Sequence, residues 1–448
     1  MEKTNKKTSA PKQSTHEQGW AFPHQTPIQA LRRSVMSCLL WENSFYEDGT
    51  DIADRIVIAA RAVTPKQLAD VAVEARKVMN LRHVPLLLLS VLCETGSGNG
   101  LVSDTIAKVI SRADELAEFV AVYAKHNKVP PSQVKQKLSA QAKKGLAKAF
   151  LKFDGYHLAK YNRDGDVKLR DVMFLCHPKA TNVEQETTFK LLAANTLPSP
   201  DTWEVALSAG ADKKATFLRL LEEGKLGYFA LLRNLRNMTE AGIDPIYLQK
   251  FVEEGKGREK ILPFRYIAAA RACPSLEPSL DVAMQAAIKA LPILSGKTAV
   301  LVDVSGSMDD KLSGKSDLTR IDAAAALAAV MNAEFTRVWS FSNDIKEVPA
   351  RKGMAMIDAI DRSQPHGGTE LSKAIEQVNK LYKYDRIIVI TDEQSGCDRA
   401  PAPLKDSKSY MINVASYKNG VGYGKAWLHL DGFSENVLRF IHEMENAR

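Results

Sequence analysis

The feature that most constrains this 448-residue chain is a change of grammar near residue 294. From about residue 26 to 293, apolar residues recur at helical spacing, as at Leu31, Val35 and Leu39 and along residues 68–78. Pro65, Pro85, Gly155, Pro178, Gly224, Gly242 and Pro274 interrupt this pattern at intervals, and β-branched alternation is scarce. The region is predicted to be all-α, with some fourteen to seventeen short helices. About 270 residues would need a very large single core, so stacked helix pairs, a HEAT-like array, suit the pattern better than one bundle. No fixed-period repeat is visible, and that reading rests on element lengths.

Beyond residue 294, apolar runs at 298–303 and 386–391 each lead into an acid. Strand-like patterns at 337–341, 410–416 and 425–430 alternate with helical ones at 321–335, 354–360, 371–381 and 434–444. The last of these has Ser434 as its expected N-cap. Alternating strands and helices predict a doubly wound α/β domain over 294–448, with Pro292, Ser295 and Gly296 at the boundary. Residues 1–25 are polar, carry Lys3, Lys6, Lys7 and Lys12 and lack an apolar stretch, which predicts a disordered tail and no secretion signal. The five cysteines are far apart and form no C-x-x-C pair, which argues against a disulfide framework and for a reducing, cytoplasmic setting. The longest apolar run is half a membrane span, so no membrane partner is expected.

The first strand of the α/β domain leads into Asp303-Val304-Ser305-Gly306-Ser307. Oxygen side chains at i, i+2 and i+4 leave the sheet at its carboxyl edge, where open α/β folds bind ligands. Thr369, in His366-Gly367-Gly368-Thr369, and Asp392, after the run 387–390, fall at the same edge. Hydroxyls, carboxylates and water are hard ligands that suit an octahedral divalent cation, foremost Mg²⁺. Asp303, Ser305, Ser307, Thr369 and Asp392 are thus the candidate ligands. No catalytic set accompanies them. His366 beside Gly-Gly reads as structural, Glu222-Glu223 and Glu253-Glu254 read as solvated caps, and Asp309-Asp310 lacks the further carboxylates of a two-metal site. A non-enzymatic protein is expected, with a metal-dependent nuclease as the weakest alternative.

Charge is unevenly spread. The net +8 divides into +10 over residues 1–300 and −2 over 301–448. Residues 120–153 hold eight lysines, Lys143, Lys144, Lys148 and Lys152 among them, and no acid. Lys144, Lys148 and Lys152 follow at i, i+4 and i+8, where like charges cost helix stability and a phosphate backbone would offset the cost. Lys160, Tyr161, Lys168, Arg170 and His177 follow, with aromatic rings interleaved among the bases. A second patch, residues 230–239, sets Arg233, Asn234, Arg236 and Asn237 against packing leucines. Each patch reads either as a nucleic-acid face or as ordinary solvated or capping surface.

The sequences Ala-Leu-Leu-Arg-Asn-Leu-Arg-Asn-Met-Thr at 230–239, Ile-Leu-Pro-Phe-Arg-Tyr-Ile at 261–267 and Asp-Val-Ser-Gly-Ser-Met at 303–308 carry a resemblance. With Lys160-Tyr161, His177-Pro178-Lys179 and Asp431-Gly432-Phe433, they make the chain similar to the Ro autoantigen family of prokaryotic or phage type. That family joins a TROVE module to a von Willebrand factor A domain with a metal-ion-dependent adhesion site. The resemblance runs from about residue 26 to the end. It implies a ring of helical repeats closed by the A domain. It also implies single-stranded 3′ ends of misfolded RNA in the central hole, and small structured Y-like RNA on the outer surface. Arg233, Asn234 and Arg236 would lie near the hole, and Lys160, Lys168, Arg170 and His177 on the outer surface. The family's tryptophan and histidine in this stretch are replaced by Val167 and Leu169. The expected partners are RNA and, at the metal, a protein with an acidic group such as an exoribonuclease, around a monomeric chain. The alternative is a metal-dependent protein-interaction adaptor.

Overall fold

A computed structural model describes residues 26–37, 49–95, 100–130, 133–312, 318–392, 400–415, 426–431 and 436–446. The expected tail at 1–25 and the N-cap at Ser434 lie outside the described residues. Seventeen α-helices precede the first strand among them, from Pro27–Ser37 to Glu277–Lys289. They are short because the sequence both starts and stops them. Thr64, Ser139, Asp154, Asn182 and Asp212 each accept a hydrogen bond from a first-turn backbone N–H. His177 and Asn195 close their helices in the left-handed conformation.

The chain divides into two compact units, one formed by residues 26–38 and 49–226, the other chiefly by residues 227–448. The first is all-helical in its described residues. Its helices Leu101–Val109 and Ala140–Phe150 cross closely, because a Cβ on Gly145 would meet the Ile106 Cβ at 2.8 Å and the Ser103 carbonyl at 2.9 Å. Buried Glu115 pairs with Arg76 at 2.6 Å and accepts the backbone N–H groups of Ser111 and Arg112, so its charge is compensated.

The second unit is larger than the α/β region alone. Its helices Tyr228–Glu240, Pro245–Glu254, Pro263–Ala272 and Glu277–Lys289 belong to the same compact body as the sheet. Asp281 accepts the Met354 N–H at 2.8 Å, and Gly353 lies against this carboxylate at φ 62°, where no side chain fits. Asn332 donates to the Leu291 carbonyl, and Arg271 reaches both Asp322 and Asp358. Strands begin at Leu294, at the expected change of grammar, while the division into packed units falls at Leu226 and Gly227.

The sheet holds β1 (Leu294–Asp303), β2 (Ala333–Phe341), β3 (Ile345–Val348), β4 (Arg386–Thr391), β5 (Lys408–Asn413) and β6 (Leu428–Asp431). The order is β3-β2-β1-β4-β5-β6, and every pair is parallel except β2 with β3. This is the doubly wound α/β architecture expected. Leu301, Val389 and Met411 face a core shared with Trp339, Trp427 and helix Leu371–Leu381. Val300 and Val302 point to the opposite face, and helix Arg320–Ala329 packs on β1 and β4. Two expectations are corrected. The alanine-rich helix stops at Ala329, and Phe335, expected at its end, lies in β2. The antiparallel edge strand β3, four residues long, was not anticipated. Among the described residues no helix is long and apolar enough to cross a membrane. Cys93, Cys176 and Cys273 form no disulfide, and burial pushes the Cys93 and Cys176 thiols up to about 12.

Candidate metal centre and nucleic-acid interface

β1 and β4 are the central strands, and their carboxyl ends deliver Asp303 and Asp392 side by side into the interior, both fully buried. One Asp303 oxygen accepts the Ser305 N–H at 2.9 Å and the other the Thr391 hydroxyl at 2.5 Å. The Ser305 and Ser307 hydroxyl oxygens lie 3.3 Å apart. The Gly306 N–H donates to the Gly367 carbonyl at 2.9 Å, which ties the first loop to the one carrying Thr369. That second loop is fixed in turn by residues after β2. Gly367 N–H donates to Ser342 Oγ and Gly368 N–H to Asn343 Oδ1, each at 2.8 Å. A Cβ on Gly367 would lie 2.4 Å from the Asn343 amide, so a side chain there would displace Asn343 from its contact with the loop. The five expected ligands thus share one sheet edge. Ser342 and Asn343 position the edge and were missed by sequence reasoning.

Arg320 was missed as well. Its guanidinium, 5% exposed, donates to Asp392 Oδ2 at 3.0 Å and to the Ser307 carbonyl at 3.0 Å, and lies 3.4 Å from Asp310. Burial first, and the Asp392 carboxylate second, push the Asp303 carboxyl above its ordinary range. The His366 ring is held at both nitrogens. Its ring nitrogens meet Asp309 at 2.8 Å and the Asp361 carbonyl at 2.9 Å. Burial disfavours its charged form, but these two acceptors outweigh burial and raise its pKa. Among the described residues no group of three or more His, Cys, Asp and Glu could hold a metal.

The lysine-rich face is less available than its sequence implies. Lys148 pairs with Asp104 at 2.6 Å. Lys152 lies past the end of helix Ala140–Phe150, where its ammonium donates to the carbonyls of Ala107 and Ile110. Burial, then Lys77, push its pKa down to about 8. The like-charge cost is therefore offset largely from within. Lys143 and Lys144 form no ion pair among the described residues. Further on, Lys160 lies 5.6 Å from the Tyr156 ring centroid, and Arg112 stacks on Tyr161 at 4.8 Å. Lys168 pairs with Asp164 at 2.7 Å, Arg170 is half-buried, and His177 is exposed at its helix end.

In helix Tyr228–Glu240 one expectation is corrected. Asn234 does not project outward: it is buried, donates to the Ala230 carbonyl and accepts from Asn237. Arg233 and Arg236 are exposed. The Arg233 guanidinium lies 5.8 Å from the ring centroid of Phe229, a residue 42% exposed. Arg265, on helix Pro263–Ala272, lies 5.4 Å from the same ring and 4.5 Å from that of Phe264. Two guanidiniums thus share one exposed aromatic ring. Sequence spacing could not join helices some thirty positions apart.

A helical region followed by a doubly wound sheet with this oxygen-rich edge defines a helical module joined to an adhesion-type α/β domain. The comparisons name both parts. Residues 193–288 match the TROVE domain and residues 298–394 the von Willebrand factor type A domain, and the chain carries both. A segment of 89 residues, 19% of the chain, is 34% identical to telomerase protein component 1 of Mus musculus and 29% identical to that of Rattus norvegicus. It spans 3% of the length of those relatives. The fold matches the crystal structure of the Ro (RSR) protein of Deinococcus radiodurans with a TM-score of 0.66 at 17% identity, over 93% of this chain and 100% of that one.

Proposed function

We propose that this chain is a non-enzymatic RNA-binding protein of the Ro type. It would hold Y-like small structured RNA and the single-stranded 3′ ends of misfolded RNA, as a cytoplasmic scaffold for RNA quality control or decay. The observation that carries this reading is the Phe229 ring between Arg233 and Arg265, inside the segment that matches the TROVE domain. An exposed ring flanked by cations suits an unpaired base and its phosphate, and such stacking contributes roughly 1–3 kcal/mol per base. Arg236, Lys143, Lys144, Lys160, Arg170 and His177 would add phosphate contacts.

The same reading gives the sheet edge a divalent cation, foremost Mg²⁺. Asp303, Ser305, Ser307, Thr369 and Asp392 would hold it, and the donor set fits, being all oxygen with two buried carboxylates. When bound, the ion would offer an open coordination position to an acidic group of a protein partner such as an exoribonuclease.

The test is binding of a duplex with a single-stranded 3′ tail against its blunt counterpart, across a salt series. The tailed RNA is expected to bind at least about tenfold more tightly, with Phe229→Ala removing about tenfold of that preference. Equal affinities for the two RNAs would sink the reading. RNA binding that survives EDTA while a protein contact is lost assigns the metal to the protein partner.

A further inference from the structure

Arg320 belongs to none of the elements that make up the oxygen-rich edge, and helix formation does not call for it. It is the first residue of helix Arg320–Ala329, whose start is already capped by Thr319 and Asp322. A cation in the first turn faces the positive end of the helix dipole, and burying a guanidinium carries a desolvation penalty. Both penalties are accepted at a position where the side chain reaches Asp392, the Ser307 carbonyl and Asp310. Among the described residues the edge therefore buries two carboxylates, Asp303 and Asp392, together with the Arg320 guanidinium.

We propose that Arg320 is a built-in counter-ion that shares Asp392 with the divalent cation and so sets the affinity of the site low. This inference rests on the cation reading given above. Arg320 neutralises part of the charge that would otherwise draw the ion in. It also occupies an Asp392 oxygen, so cation binding must loosen the Arg320–Asp392 contact. Without the cation, the same contact keeps the two buried carboxylates compatible with a folded edge. Occupancy would then follow the divalent-ion concentration and any acidic partner group, where a fully anionic site would hold its ion permanently.

The experiment titrates the full chain with Mn²⁺ by calorimetry and records melting in EDTA and in Mn²⁺, for the native protein, Arg320→Gln and Arg320→Lys. Arg320→Gln is expected to bind Mn²⁺ at least about tenfold more tightly, because one positive charge beside the ion has gone. It should also melt lower than native in EDTA and recover in Mn²⁺. Arg320→Lys keeps the charge and should bind within about threefold of native. A glutamine variant that folds only with Mn²⁺ supports the proposal, since the ion then replaces the lost guanidinium. Native binding with an unchanged or weaker Kd in Arg320→Gln overturns the counter-ion role alone. A lysine variant as tight as the glutamine one also overturns it. Absence of Mn²⁺ binding in all three overturns the cation reading itself.

Discussion

The two ends of the central sheet each bury an arginine against a carboxylate far away in sequence, and they do so with opposite balances of charge. At the amino end, Arg386 of β4 pairs with Glu445 and also donates to the Ser295 carbonyl and the Thr298 hydroxyl. Glu445 receives Lys408 at 3.0 Å and the Tyr410 hydroxyl at 3.0 Å. Two cations thus meet one buried carboxylate whose oxygens are well supplied with donors. At the carboxyl end, among the described residues, the Arg320 guanidinium meets Asp392, which lies beside Asp303, and both acids are fully buried. The first network is closed and fastens the C-terminal helix to the sheet. The second retains negative charge at the edge where open α/β sheets bind ligands. Similar chemistry therefore serves cohesion at one end and leaves the carboxylates in excess at the other.

The largest expected effect breaks the closed end. Glu445→Ala leaves Arg386 buried without its carboxylate, and loss of one member of a buried pair costs roughly 3–5 kcal/mol. The α/β transition in calorimetry should move down accordingly. A loss under about 1 kcal/mol would show that the network is not what fastens the last helix.

The next effect separates the two aspartates at the open end. In EDTA, Asp392→Asn weakens the charge-assisted bond to Arg320 and should cost roughly 1–3 kcal/mol. Asp303→Asn removes a carboxylate that burial already disfavours, and should change stability by less than about 1 kcal/mol. Both should abolish any stabilisation by Mg²⁺. Equal losses in EDTA would mean that the two acids are not distinguished by Arg320.

These ends were not equally legible in the sequence. The motif spacings named Asp303, Ser305, Ser307, Thr369 and Asp392, because strand ends and Gly-Gly turns are local features. The helix Leu371–Leu381 was readable from its apolar stripe alone. Arg320, just before the helix expected at 321–335, drew no notice, since its partner lies 72 positions away. Arg386 and Glu445, 59 positions apart, were silent for the same reason. β3 is too short to show a period, and it forms only because β2 offers it an edge. The lysine run misled in the other direction. Composition counts charges, but Lys148 and Lys152 are already satisfied by Asp104 and by backbone carbonyls. The Phe229 platform needed two helices brought together, which no single-helix pattern encodes.

The smallest effect is a pH dependence of opposite sign at the two ends. Burial pushes the Glu445 carboxyl up, but Arg386 and Lys408 outweigh it and hold the pKa below the ordinary range. A depressed carboxyl stabilises the fold above its unfolded value, near ~4.3, and that contribution is lost as pH falls through the folded value. Asp303 is raised, so the folded chain binds its proton more tightly than the unfolded one. Its contribution is present below the unfolded value, near ~3.9, and is lost as pH rises toward the folded one. Melting in EDTA should therefore show one decline below about pH 4, from Glu445, and a second between about pH 4 and 7, from Asp303. Glu445→Gln should flatten only the first and Asp303→Asn only the second. Mg²⁺ should abolish the second decline in the native chain, because the ion favours the ionised Asp303. A second decline that persists in Mg²⁺ would place the cation away from Asp303 and leave the two ends alike.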